Sequence, residues 1–183
     1  MSDLILRKIN KEDLALMMEW RMNPAVTANL YTDPILDMEK QIKWFDKVEN
    51  DNTVKYWIIE LESTPIGLIW LYQIDYYNKK CEWGYFIGND NFRGKGIGRN
   101  LECNIYDYVF YKMNMNRLYC EIFSFNDKVI KIHEKFGSEI EGIFKEHIFK
   151  NDVFYDVTAM AILKSKWDKI RMNYRYDLIR IED

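Results

Sequence analysis

Proline, cysteine and histidine are scarce in this chain of 183 residues, and glycine is not much commoner: three prolines, three cysteines, two histidines and eight glycines. With no Pro-rich or Ser/Gly-rich stretch there is no linker, and one domain is expected over residues 1–163, with 164–183 as a C-terminal helical extension. Cys81, Cys103 and Cys120 are odd in number and widely spaced, which argues against a disulfide framework or a zinc knuckle and for buried free thiols. His133 and His147 have no partner cysteines at ligand spacing, so no metal site is expected. Net charge is also small: 26 Lys plus Arg against 29 Asp plus Glu leaves −3, too little field to wrap nucleic acid. The uncharged stretch Ser63 to Ile74 falls short of the roughly 20 apolar residues that a membrane helix needs. The N-terminus shows no basic segment followed by an apolar run, so a cytoplasmic protein without membrane partners is expected.

Aromatic residues are plentiful, at 16% of the chain, and supply the apolar area a core requires. The patterns predict a strand at Leu4 to Ile9, then a helix capped by Asn10 and stopped near Arg21 by Pro24. A second helix capped by Asp37 follows, and then strands at Tyr56 to Glu62, Pro65 to Ile74 and Lys80 to Ile87. Gly96 to Lys112 is predicted helical, Arg117 to Phe123 a strand, Asp127 to Lys135 a short helix, and Glu139 to Ile148 with Val153 to Leu163 a hairpin around Asn151-Asp152. Apolar residues from Trp167 to Ile179 fall at helical spacing, and an amphipathic end of this kind offers a surface for a homodimer.

The strongest local signal is Arg93-Gly94-Lys95-Gly96-Ile97-Gly98-Arg99, between a predicted strand and a predicted helix. Alternating glycines let several backbone N–H groups converge beside the positive end of a helix dipole, while Arg93, Lys95 and Arg99 add charge. That combination suits a pyrophosphate. It lacks the Gly-Lys-Ser/Thr ending of a Walker loop and lies too late in the chain for a dinucleotide fingerprint; the plain alternative is a glycine turn with solvated basic residues.

The Arg-x-x-Gly-x-Gly pattern at Arg93, Gly96 and Gly98 resembles the GCN5-related N-acetyltransferase (GNAT) family. Upstream, Cys81-Glu82-Trp83-Gly84-Tyr85-Phe86-Ile87 looks like that family's fourth strand. Downstream, Asn126, Ile130 and His133-Glu134-Lys135-Phe136-Gly137 look like its Asn-containing turn and following helix. The resemblance covers Leu4 to Leu163 and implies an α/β (α+β) fold. Its sheet would be mixed but mainly antiparallel, of about seven strands, with helices on both faces and splayed fourth and fifth strands. It further implies acetyl transfer from acetyl-CoA, with main chain at Phe86, Ile87 and Gly88 on pantetheine and the acetyl carbonyl, residues 93–99 on pyrophosphate, and Asn126 further along the cofactor.

An attacking amine must be neutral and the leaving thiolate must gain a proton, so a base and an acid are required. Glu121 shares a strand face with Tyr119 and Phe123, opposite apolar Leu118, Cys120 and Ile122, and is the favoured base; Glu82 competes, and a structural ion pair is the alternative role. His133 stands where much of the family has its acid, a tyrosine, and an imidazole can donate a proton near neutrality; Tyr119 and Tyr155 are substitutes, and a helix histidine without a role is the alternative.

For the acceptor, Trp20-Arg21-Met22-Asn23-Pro24, Tyr31-Thr32-Asp33 and Gln41-x-x-Trp44-Phe45 resemble the branch that acetylates a UDP-linked 4-amino sugar in pseudaminic acid synthesis. Arg21 would fork onto paired oxygens, and Trp44 and Tyr72 would stack on uracil or sugar; Gln41, where that branch often has His, and Tyr72-Gln73, in place of its polar contacts, depart from it. The same pattern also resembles polyamine and ribosomal-protein N-terminal acetyltransferases, and Glu12, Asp13, Glu19, Asp33, Asp37 and Glu39 make the N-terminal half acidic enough for a polyamine. A noncatalytic acetyl-CoA sensor is the reading from another class.

Overall fold

The computed structural model describes residues 3–34, 37–94 and 96–183. Its strands are β1 (Leu4–Lys8), β2 (Lys55–Leu61), β3 (Thr64–Asp75), β4 (Lys80–Ile87), β5 (Arg117–Phe123), β6 (Glu139–Lys150), β7 (Val153–Leu163) and β8 (Arg180–Ile181). Its helices are α1 (Leu14–Met22), α2 (Pro24–Thr27), α3 (Met38–Val48), α4 (Ile97–Asp107), α5 (Asp127–Lys135) and α6 (Lys164–Ile170). Hydrogen-bonded strand order is β6-β7-β5-β4-β3-β2-β1-β8, one more strand than the sequence predicts. Among the described residues no helix is long and apolar enough to cross a membrane.

The chain forms two compact units, and β4 contributes to both. The first is drawn from Met1–Ile74, Trp83–Lys95 and Ile179–Asp183. Here β1 runs antiparallel to β2, β2 antiparallel to β3, and β8 parallel to β1. Asn10 caps the helical turn Lys11–Asp13 reciprocally: its side chain accepts from the Asp13 N–H, and the Asp13 carboxylate accepts from the Asn10 N–H. Asp13 also holds Arg7 at 2.8 and 3.0 Å, which fixes the start of α1 against β1. Pro24 forces Asn23 into an extended conformation, ends α1 at Met22 and opens α2 as its first residue. The apolar face of α1 buries Leu14, Met17 and Trp20 with Phe45, Ile58 and Leu68.

The second unit is drawn from Asp75–Glu82 and Gly96–Leu178. β4 pairs with β5 in parallel, Lys80 with Arg117, Cys81 with Leu118 and Glu82 with Tyr119, while β5 and β6 each run antiparallel to β7. Asn151 and Asp152 both take positive φ, 51° and 60°, the twist a tight two-residue hairpin between right-twisted strands demands. α4 ends in a π-helical turn, Tyr108–Lys112.

The extension departs from expectation: helix runs only over Lys164–Ile170, and beyond a short turn at Arg171–Asn173 the chain forms neither helix nor strand until β8. The reason lies on α4. The Asp107 carboxylate accepts from Trp167 Nε1 at 2.9 Å, from Arg171 at 2.7 and 2.8 Å and from the Tyr176 hydroxyl at 2.6 Å, and a non-helical segment delivers the last of these donors. Burial raises the Asp107 pKa, yet those donors outweigh it and leave the carboxyl below its ordinary value. Trp167 itself is fully buried, stacked 5.7 Å from Tyr174.

Candidate active site

On β5 the predicted alternation is present: Leu118, Cys120 and Ile122 are buried, while Tyr119 and Glu121 on the other face are half-buried. Burial, followed by the Glu82 and Glu121 carboxylates, pushes the Tyr119 phenol up to about 12. Glu82 stands opposite Tyr119 across the β4–β5 ladder, so two carboxylates and a protonated phenol share one neighbourhood. Glu82 is buried at 5% exposure, whereas Glu121 remains more accessible, which suits the latter better to meet a substrate amine. Tyr155 packs against Phe123 at 5.3 Å and Phe125 at 5.6 Å.

His133 is placed differently from a surface helix histidine: it is 4% exposed, and its Nδ1 lies 3.0 and 3.1 Å from the two oxygens of fully buried Glu102. Asn126 caps α5 by accepting from the Val129 N–H at 3.4 Å, a structural role for a side chain that the family resemblance assigns to cofactor contact.

The glycine loop has the conformation its sequence calls for. Gly94 and Gly96 take φ of 76° and 79°, and a Cβ at either would meet nothing within 4 Å, so both are glycine for backbone twist and both face open space. Gly96 caps α4 with no side-chain bond, and the opening N–H groups of that helix, at Ile97, Gly98 and Arg99, lack intrahelical acceptors by geometry. Arg93 donates Nε to the Ile87 carbonyl at 2.9 Å and Nη1 to Asp90 at 2.8 Å, while its buried Nη2 has no partner among the described residues. The open N-terminus of α4 is by itself a geometry that suits an anionic group. Lys95 lies outside the described residues.

On β4 and just beyond it, Phe86 and Ile87 are half-buried, and the Gly88 N–H donates to the Ile66 carbonyl at 2.9 Å. That bond commits the Gly88 N–H to the fold and away from a thioester oxygen. The proposed acceptor residues are also partly engaged. Arg21 donates to Thr32 at 3.0 Å, and Trp44 packs edge-on to Tyr56 at 5.0 Å against the core, which removes one ring edge from ligand stacking. Tyr72 is half-buried and Gln73 exposed with φ 50°. Of the six acidic residues, Asp13 is bound to Arg7 and Asp37 caps α3, while Glu12, Glu19, Asp33 and Glu39 are exposed.

Sequence reasoning missed Glu102. Its spacing to Tyr106 is readable, but nothing local signals that a residue on another helix, His133, completes the group.

All three cysteines are buried, and burial pushes Cys81 and Cys103 up to about 12 and Cys120 well above the ordinary thiol. Ellman's reagent should therefore label none of them in native protein at about pH 8 and all three in urea. Rapid native labelling would show that the burial is not maintained in solution.

The chain matches the Acetyltransferase (GNAT) domain family over residues 3–139. It is 28% identical over 167 residues to a spermidine N(1)-acetyltransferase of Vibrio cholerae, covering 91% of this chain and 96% of that protein. A crystal structure of the Vibrio cholerae spermidine N-acetyltransferase with CoA and spermine superposes with a TM-score of 0.85 at 27% identity, covering 90% of this chain and 98% of that one. Acetyltransferase PseH of Campylobacter jejuni is 28% identical over 131 residues, covering 70% of this chain and 78% of that protein. With the glycine loop, the mixed sheet and these likenesses in agreement, the chain belongs to the GNAT family and is an acetyl-CoA-dependent N-acetyltransferase.

Proposed function

We propose that this enzyme acetylates a primary amine of a polyamine of the spermidine class. The observation that carries the reading is the near full-length likeness to a spermidine acetyltransferase, 91% of this chain against 96% of that protein. Exposed Glu12, Glu19, Asp33 and Glu39 support it, because a polycation needs dispersed carboxylates near its path. Glu121 takes the proton that the neutral amine loses as it attacks, and His133 gives one to the leaving sulfur. The opening turn of α4 holds the donor's phosphates. When bound, acetyl-CoA supplies the thioester whose acetyl group is transferred.

The likeness to PseH favours a second reading, a UDP-linked amino sugar, which Arg21 and Tyr72 would contact. It covers less of the chain. Thiol release from acetyl-CoA is the test, with spermidine, the UDP-4-amino sugar and an N-terminal peptide offered separately. Saturable turnover with spermidine is expected. Turnover with the sugar or the peptide alone would move the acceptor there, and tight acetyl-CoA binding without turnover on any would make the chain a sensor.

A further inference from the structure

Glu102 carries no role in the scheme above, yet it is a wholly buried carboxylate on α4. A buried anion is costly unless charge and hydrogen bonds compensate it. Two helices and a turn supply the compensation: the Tyr106 hydroxyl, one helical turn along, donates to Oε2 at 2.7 Å, and Ser138 Oγ lies 3.2 Å from that hydroxyl. From α5, His133 Nδ1 sits 3.0 Å from Oε1 and 3.1 Å from Oε2. Burial and the Glu102 charge hold Tyr106 well above the ordinary phenol value, so that hydroxyl stays a donor.

We propose that Glu102 is the positioning residue for His133, holding a proton on Nδ1 and orienting the ring so that its other nitrogen, Nε2, is the one that exchanges a proton with the reaction. The proposal rests on the acetyl-transfer reading given above. With Nδ1–H held by the carboxylate, the proton that the imidazolium gives up is the one on Nε2. As the amine nitrogen bonds to the acetyl carbon, the C–S bond breaks with its electron pair on sulfur. The Nε2 proton passes to that sulfur, and the amine proton passes to Glu121. His133 is left neutral with Nδ1–H still on Glu102, and both groups re-equilibrate with water. A phenol at this position would need no such carboxylate, because it holds its single proton unaided.

The sequence contains only two histidines, His133 and exposed His147, so an imidazole ¹⁵N spectrum of the full chain resolves both, with His147→Gln assigning them. Expected is a protonated Nδ1 on His133 in the wild type, and loss of that fixed state in Glu102→Gln. An unprotonated Nδ1 in the wild type overturns the proposal, and that spectrum needs no variant to fold. In turnover, Glu102→Gln should lower kcat about 10- to 100-fold with the acetyl-CoA KM unchanged, the usual range for removing an orienting partner. The same change in a His133→Tyr background should cost almost nothing. Equal losses in both backgrounds would reduce Glu102 to packing. If spermidine is not the acceptor, even the wild type fails to turn it over while the spectrum still decides the role of Glu102.

Discussion

Glu121→Gln is expected to lower kcat by about 10²- to 10⁴-fold, the contribution of a positioned general base, while acetyl-CoA affinity stays nearly unchanged. The amide keeps the size of the side chain and its place on β5 but cannot accept a proton from an ammonium. Because Leu118, Cys120 and Ile122 anchor the opposite face of the strand, the exchange should leave the β5–β7 ladder intact. Glu82→Gln is the matched control: its carboxylate also lies near Tyr119 but is buried, so a smaller kinetic effect is expected. Steady-state kinetics with titration calorimetry separate the possibilities. Parallel loss of turnover and acetyl-CoA binding in Glu121→Gln would assign the residue to structure, and a larger kcat loss in Glu82→Gln would exchange the two roles.

Gly88→Ala is expected to cost about 3 kcal/mol of stability, the upper part of the range for overpacking a tight site. A Cβ there would stand 2.2 Å from Trp20 Cγ and 2.5 Å from Cδ1 and Cδ2. The indole has nowhere to retreat, since Leu14, Met17, Phe45, Ile58 and Leu68 pack around it and Phe86 meets it edge-on at 6.4 Å. Nor can the backbone yield cheaply, because Gly88 and Asn89 both donate to the Ile66 carbonyl. Urea denaturation measures the loss, and adding Trp20→Leu should recover part of it by vacating the contested space. An unchanged midpoint in Gly88→Ala would show that the indole is not held there. This clash gives Gly88 a packing reason to be glycine.

The elements were legible because their causes are local. Asn10 caps the helical turn that leads into α1, and Pro24 stops that helix, through hydrogen bonds and torsions within a few residues. The alternation from Arg117 to Phe123 sorts Glu121 from its buried neighbours with no knowledge of the partner strands. The glycine loop was legible for the same reason, since positive φ at Gly94 and Gly96 is a property of each residue's own backbone.

Helical spacing from Trp167 to Ile179 misled, because periodicity reports which side chains are apolar and not what they meet. Asp107 collects donors from residues up to Tyr176, and three charge-assisted partners outweigh the helical preference of a short segment.

By itself, then, the sequence determined the order of strands and helices, the glycine loop and the face of β5 that carries Glu121, all set by neighbours within a few residues. Only the tertiary structure decided that β4 and β5 pair in parallel, that Gly88 must accommodate an indole, and that Glu102 meets His133 from 31 residues away. Those depend on burial and on contacts between distant segments, where a carboxylate or a ring is worth what surrounds it.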